Sequence, residues 1–118
     1  MSRDEGKQTE AIFDHHLQAL VARDVDAIME DYTDESMAIT NSVPEAMRGR
    51  AAIRALFTHA LEVFSAEALA GLQVHQKVIA GEVAYIVWSM GEAIPFASDT
   101  FVIRGGKIAI QTAALQGP

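Results

Sequence analysis

Near residue 70 the spacing of apolar side chains changes once, from the period of a helix to the period of a strand. Before that point the residues Ile12, Phe13, Leu17, Leu20 and Val21 recur three to four apart, which predicts a helix over about Glu10 to Ala22. A short second helix is expected from Val25 to about Tyr32, with the Asp24 carboxylate accepting from its first turn. Ile53, Leu56, Phe57, Ala60, Leu61 and Phe64 form one stripe and predict a third helix, Arg50 to Phe64. Between them the polar break TDES precedes a brief strand, Met37 to Thr40, and NSVPEAMRG reads as loop. Beyond residue 70 four strands are expected: Leu72 to Ala80, Val83 to Met90, Phe96 to Arg104 and Lys107 to Leu115. Gly81-Glu82 and Gly105-Gly106 are two-residue links of hairpin type. Helices followed by an antiparallel meander define an α+β architecture, with the N-terminal helices packed across one face of a curved sheet.

A chain of 118 residues suits one domain. It is expected to span residues 9 to 118, after a loose arm formed by residues 1 to 8. Residues 1 to 67 carry thirteen acidic and six basic side chains, and the remainder is balanced. With no basic stripe to meet a phosphate backbone, nucleic acid is not the expected partner. There is no cysteine, so disulfides, thiol nucleophiles and thiolate metal sites are excluded. Neither a secretory apolar stretch nor a membrane-spanning run is seen, and the cytoplasm is the expected compartment.

The strand faces are unusually apolar. Ala84, Ile86, Trp88 and Met90 share one side of their strand, yet Val83, Tyr85 and Val87 on the other side are nearly as apolar. Helices can cover one face only, so a second subunit packed on the other, giving a homodimer, is the simplest cover; scattered surface apolar residues are the alternative. In the last strand Ile108 and Ile110 oppose Ala109, Ala113 and Leu115 in the same two-sided way.

Two ionisable residues fall on apolar faces. Asp99 shares a strand side with Ala97, Phe101 and Ile103, where burial disfavours its charge unless a donor meets it. Of two adjacent histidines in the first helix, His16 lies within the apolar sector and His15 opposite it. Each could be a satisfied core residue. If the first helix lies over the sheet, however, imidazole and carboxyl could share one cavity as an acid–base pair. His15, His59 and His75 are expected on the surface, and Asp31, Asp34 and Glu35 read as a solvated acidic cluster. No histidine spacing suits a metal, no G-x-S-x-G elbow is present, and no cofactor is called for.

The segments LVARDVDAIMEDYTDESM, MRGRAAIRALF and ASDTFVIRGGKIAIQTAAL, in this order and spacing, resemble the nuclear transport factor 2-like (NTF2-like) superfamily. Within it, the chain is similar to the ketosteroid isomerase and SnoaL-like polyketide cyclase branch, over residues 9 to 115. The resemblance implies a cone-shaped α+β barrel whose open end takes a small, mostly apolar molecule, and commonly a homodimer packed through the sheet. On the isomerase pattern His16 falls at the oxyanion-hole tyrosine, Thr40 at the carboxylate base and Asp99 at the protonated acid that donates to the oxyanion. Leu56, Ile86, Trp88 and Met90 fall on the pocket wall. A threonine hydroxyl is too weakly basic to remove a proton beside a carbonyl, so steroid isomerisation itself is not expected. His16 as proton shuttle, Asp99 as donor and Thr40 as an orienting group would suit an isomerase-, cyclase- or hydrolase-type reaction. A non-catalytic binding module or a protein adaptor of the same fold are the other readings. The Asp-Arg-Asp network of limonene epoxide hydrolases cannot be assembled from inward-facing residues.

Overall fold

A computed structural model describes residues 3 to 117. Two helices, α1 (Arg3–Val21) and α2 (Val25–Met29), lead into strand β1 (Tyr32–Thr40) and the two-residue strand β2 (Met47–Arg48). Helices α3 (Gly49–Val63) and α4 (Ala66–Ala70) follow, then β3 (Leu72–Ala80), β4 (Val83–Met90), β5 (Ile94–Arg104) and β6 (Lys107–Gln116). The six strands form one sheet in the order β2-β1-β6-β5-β4-β3. All pairs are antiparallel except β1 with β6, which run parallel, so the helical half of the chain is tied to its final strand. This is the expected α+β architecture, with α1 and α3 across the inner face of a curved sheet. No helix among the described residues is long and apolar enough to cross a membrane.

Several boundaries differ from the sequence reading, each for a local reason. Residues 3 to 8, expected as a loose arm, are the first turns of α1. Thr9 is buried there, and its Oγ1 donates to the Gly81 carbonyl at 2.7 Å, fastening the polar start of the helix to the β3–β4 turn. Residues 1, 2 and 118 lie outside the described residues. α2 stops at Met29, and Tyr32 opens a strand instead of closing a helix. The polar break TDES is a bulged part of that strand: Ser36 Oγ accepts from the Thr33 N–H at 2.9 Å and donates to the Ile108 carbonyl at 2.6 Å, replacing regular ladder bonds. α4, unforeseen, starts at Ser65, whose hydroxyl accepts from the Ala68 N–H at 3.0 Å. At the β5–β6 turn Gly105 and Gly106 have φ of 58° and 74°, the left-handed geometry that a two-residue hairpin of this type requires.

The core lies between the helices and the inner sheet face. Phe13, Ile28, Met29, Tyr32, Ile53, Phe57, Leu61, Ala84, Ile86, Phe101 and Ile108 are all buried there. Two bulges set which side chains face it. One in β3 between Val74 and Gln76 turns Lys77 inward beside Ile86, so its ammonium meets Glu10 of α1 at 2.8 Å, while His75 stays exposed as expected. One in β6 at Ala109 keeps Ile108 inward opposite Ile103 but shifts the alternation, so that Gln111, Ala113 and Leu115 face the helices and Ile110 faces out.

Candidate functional site

Between α1, α3, α4 and the inner sheet face there remains a cavity of about 280 Å³. A void of this size is at the small end of pockets that hold compact organic molecules. Its wall is hydrocarbon over most of its extent and includes Leu56, Ile86, Trp88 and Met90. His16 from α1, Asp99 from β5 and Thr40 from the end of β1 line it too, so the three candidate site residues share one space.

His16 faces inward because the 100° step of α1 places it with Phe13 and Leu20. It is 4% exposed and sits among Phe101, Phe57 and Tyr32, with ring centroids 5.1, 5.5 and 6.2 Å away. Its Nδ1 has no hydrogen-bond partner. Burial, seconded by the neighbouring charge of His15, lowers its pKa to about 4, so the ring is neutral at pH 7.

Asp99 is 7% exposed and accepts at both oxygens. The Trp88 indole Nε1–H donates to Oδ1 at 2.8 Å, and the Gln111 amide Nε2–H donates to Oδ2 at 2.9 Å. Burial pushes the carboxyl upward, while these two donors, which favour the charged form, pull against it. Behind Gln111 stands Tyr32, whose hydroxyl donates to Gln111 Oε1. Tyr32 is 1% exposed, and its phenol is held well above its ordinary range, first by burial and then by Asp99 and Asp31.

Thr40 stands half-buried where β1 ends, and its Oγ1 accepts from the Ser42 N–H at 3.1 Å. Among the described residues the cavity wall includes one aspartate and no arginine. No cluster of His, Cys, Asp and Glu among the described residues could hold a metal.

Three features escaped the sequence reading. Gln111 shares the parity of Ala113 and Leu115, so counting back by two from those residues would have found it. Tyr32 was hidden by the overlong second helix. Asp31, read as solvated, is 5% exposed, and His15, read as a surface residue, donates or accepts at 2.6 Å between its Nδ1 and Asp31 Oδ2. This pair lies outside the cavity, where the end of α2 tucks the carboxylate under α1; Asp34 and Glu35 are exposed as expected.

Solved structures share this arrangement of helices and sheet. An NTF-2 like protein of unknown function from Burkholderia xenovorans is 23% identical, with 95% of this chain and 85% of that one covered at a TM-score of 0.76. A putative ketosteroid isomerase from Kribbella flavida is 14% identical (95% and 80% covered, TM-score 0.72), and a putative polyketide cyclase from Sinorhizobium meliloti is 17% identical (87% and 93% covered, TM-score 0.71). At these identities the likeness establishes the fold alone. No curated protein matches the sequence. The sequence model of the SnoaL-like domain matches residues 13 to 110. The chain therefore belongs to the SnoaL-like domain family.

Proposed function

We propose that this protein is an acid–base enzyme without a metal, acting on a small apolar carbonyl or polyketide-like compound bound in the cavity. The observation that carries the reading is a buried carboxylate and a buried, unpartnered imidazole lining the same hydrocarbon-walled space. Their parts are the reverse of those expected from the sequence. Both Asp99 oxygens accept hydrogen bonds, which suits a carboxylate that takes a proton, and burial makes that carboxylate a stronger base than one in water. His16, neutral with a pKa of about 4, is a poor shuttle at pH 7 but a good donor. Its sealed, partnerless Nδ1 is the nitrogen that goes without a hydrogen, leaving Nε2–H to offer to a ligand oxygen.

In this scheme Asp99 removes a proton from the carbon beside the carbonyl, and His16 Nε2–H stabilises the negative charge that moves onto the oxygen. Asp99 then returns the proton to a carbon or to the oxygen. Thr40 orients the substrate or a water molecule at the end of β1. The same reading takes the working form as a homodimer packed through the outer sheet face.

The test is proton exchange. With a panel of monocyclic and bicyclic ketones in D₂O, loss of the α-proton signal in ¹H NMR is expected to accelerate with the protein. Asp99→Asn should lower the rate by about 10² to 10⁴-fold, the usual contribution of a general base. Saturable binding with no exchange from any ketone would instead support a binding module, the reading favoured by Thr40 standing where related isomerases keep a base.

A further inference from the structure

The direction of each hydrogen bond to Asp99 is set by the groups that meet its two oxygens, Trp88 and Gln111. An indole N–H can only donate; a phenol kept protonated by burial can donate or accept, but accepting here would leave its own buried O–H without a partner, and a carboxamide has a donating end and an accepting end. Which end Gln111 turns to Asp99 decides whether that residue meets a donor or an acceptor. Tyr32 makes the choice: its hydroxyl donates to Gln111 Oε1, so only Nε2–H is left for Asp99 Oδ2, at 2.9 Å. All three residues are buried, so water does not compete for these positions.

We infer that Tyr32, acting through the Gln111 amide, is a positioning residue that holds Asp99 as a hydrogen-bond acceptor and thereby keeps it in the base form. The inference rests on the role given to Asp99 above. Tyr32 on β1 and Gln111 on β6 thus control a group on β5 that Tyr32 itself does not touch. The other titratable groups around this space are His16 on α1 and His59 on α3; from β4 and β6 the neighbours of Asp99 are the neutral donors Trp88 and Gln111.

Removing the Tyr32 hydroxyl takes away one oxygen and no charge. In Tyr32→Phe the Gln111 amide is free to turn, and its Oε1 then accepts from a protonated Asp99. The experiment is a ¹³C NMR titration of the Asp99 carboxyl in the ligand-free protein. Tyr32→Phe is expected to raise the Asp99 midpoint by about one pH unit or more, the scale of one hydrogen bond to an ionised group. Trp88→Phe, which removes a direct donor, should raise it as well. In a Gln111→Met background, Tyr32→Phe should add nothing. An unchanged midpoint in Tyr32→Phe beside a raised one in Trp88→Phe would overturn the relay and leave the role of Asp99 standing. Should Tyr32→Phe fail to fold, the wild-type Gln111 side-chain amide signals decide: they should move with the Asp99 midpoint, and stationary signals would overturn the relay. Because the titration needs no substrate, its failure is distinct from an absence of α-proton exchange.

Discussion

An imidazole wrapped in three aromatic rings must stay neutral to remain where it is. For His16 the unfolded chain takes up a proton near pH 6.5, while the folded chain resists until about pH 4. Between those values the unfolded state binds more protons, so stability rises with pH and is lost as pH falls through this window. The loss attributable to His16 is on the order of 3 kcal/mol. His16→Phe suits the aromatic surroundings and has nothing to protonate. It is expected to flatten the dependence of urea-unfolding free energy on pH between 6.5 and 4; an unaltered slope would mean that the ring is not the group responsible. Asp99 acts in the opposite sense, since a carboxyl with a raised pKa contributes most below its unfolded value and loses that contribution as pH rises through its folded one. Both residues were legible in the sequence because each is an ionisable group at an apolar phase of a regular period. Their roles were not, because hydrogen-bond direction depends on Gln111, whose phase is set by the bulge in β6, and on Tyr32, which approaches from the distant β1.

At the scale of elements, what was legible was whatever repeats. The stripes of α1 and α3 and the alternation in β3 to β6 are read directly from apolar spacing. What was lost lies where side chains substitute for backbone bonds, as Ser36 does in β1, or where one inserted residue changes the phase, as at His75 and Ala109. The junction of α3 with the start of β1 has one such device. Arg50 Nη1 donates to the Met29 carbonyl at 2.5 Å and to the Tyr32 carbonyl at 2.7 Å, filling backbone acceptors that the α2–β1 turn leaves free. Arg50→Met keeps the apolar stem and removes both bonds, and a loss of about 1.5 to 3 kcal/mol in chemical denaturation is expected, the scale of a charged hydrogen bond. No measurable loss would mean that water replaces the guanidinium at little cost.

The whole molecule presents two apolar sheet faces and covers one. On the outer face Tyr85, Val78, Ile39 and Phe96 are 38%, 43%, 43% and 49% exposed, an extent that fits a surface shared with a second copy. Sedimentation at micromolar concentration is expected to give a dimer, and Tyr85→Asp a monomer; a monomeric wild type would remove the homodimer from the account. The two-sided pattern of β4 made that face visible in sequence, whereas the cavity was expected only through the family resemblance and its size was not legible, because a void is what remains after bulges, α4 and the helix ends have been placed. The central claim is that this void admits a small apolar carbonyl compound against Asp99. The chain has a single tryptophan, and its indole N–H is the group bonded to Asp99 Oδ1. The most direct measurement is therefore the lone indole ¹H–¹⁵N signal during titration with a bicyclic ketone, in the wild type and in Leu56→Trp read at the Trp88 signal. A saturable shift in the wild type, abolished when the larger side chain fills the space, is the predicted result; an indole signal that stays in place up to the solubility limit would contradict it.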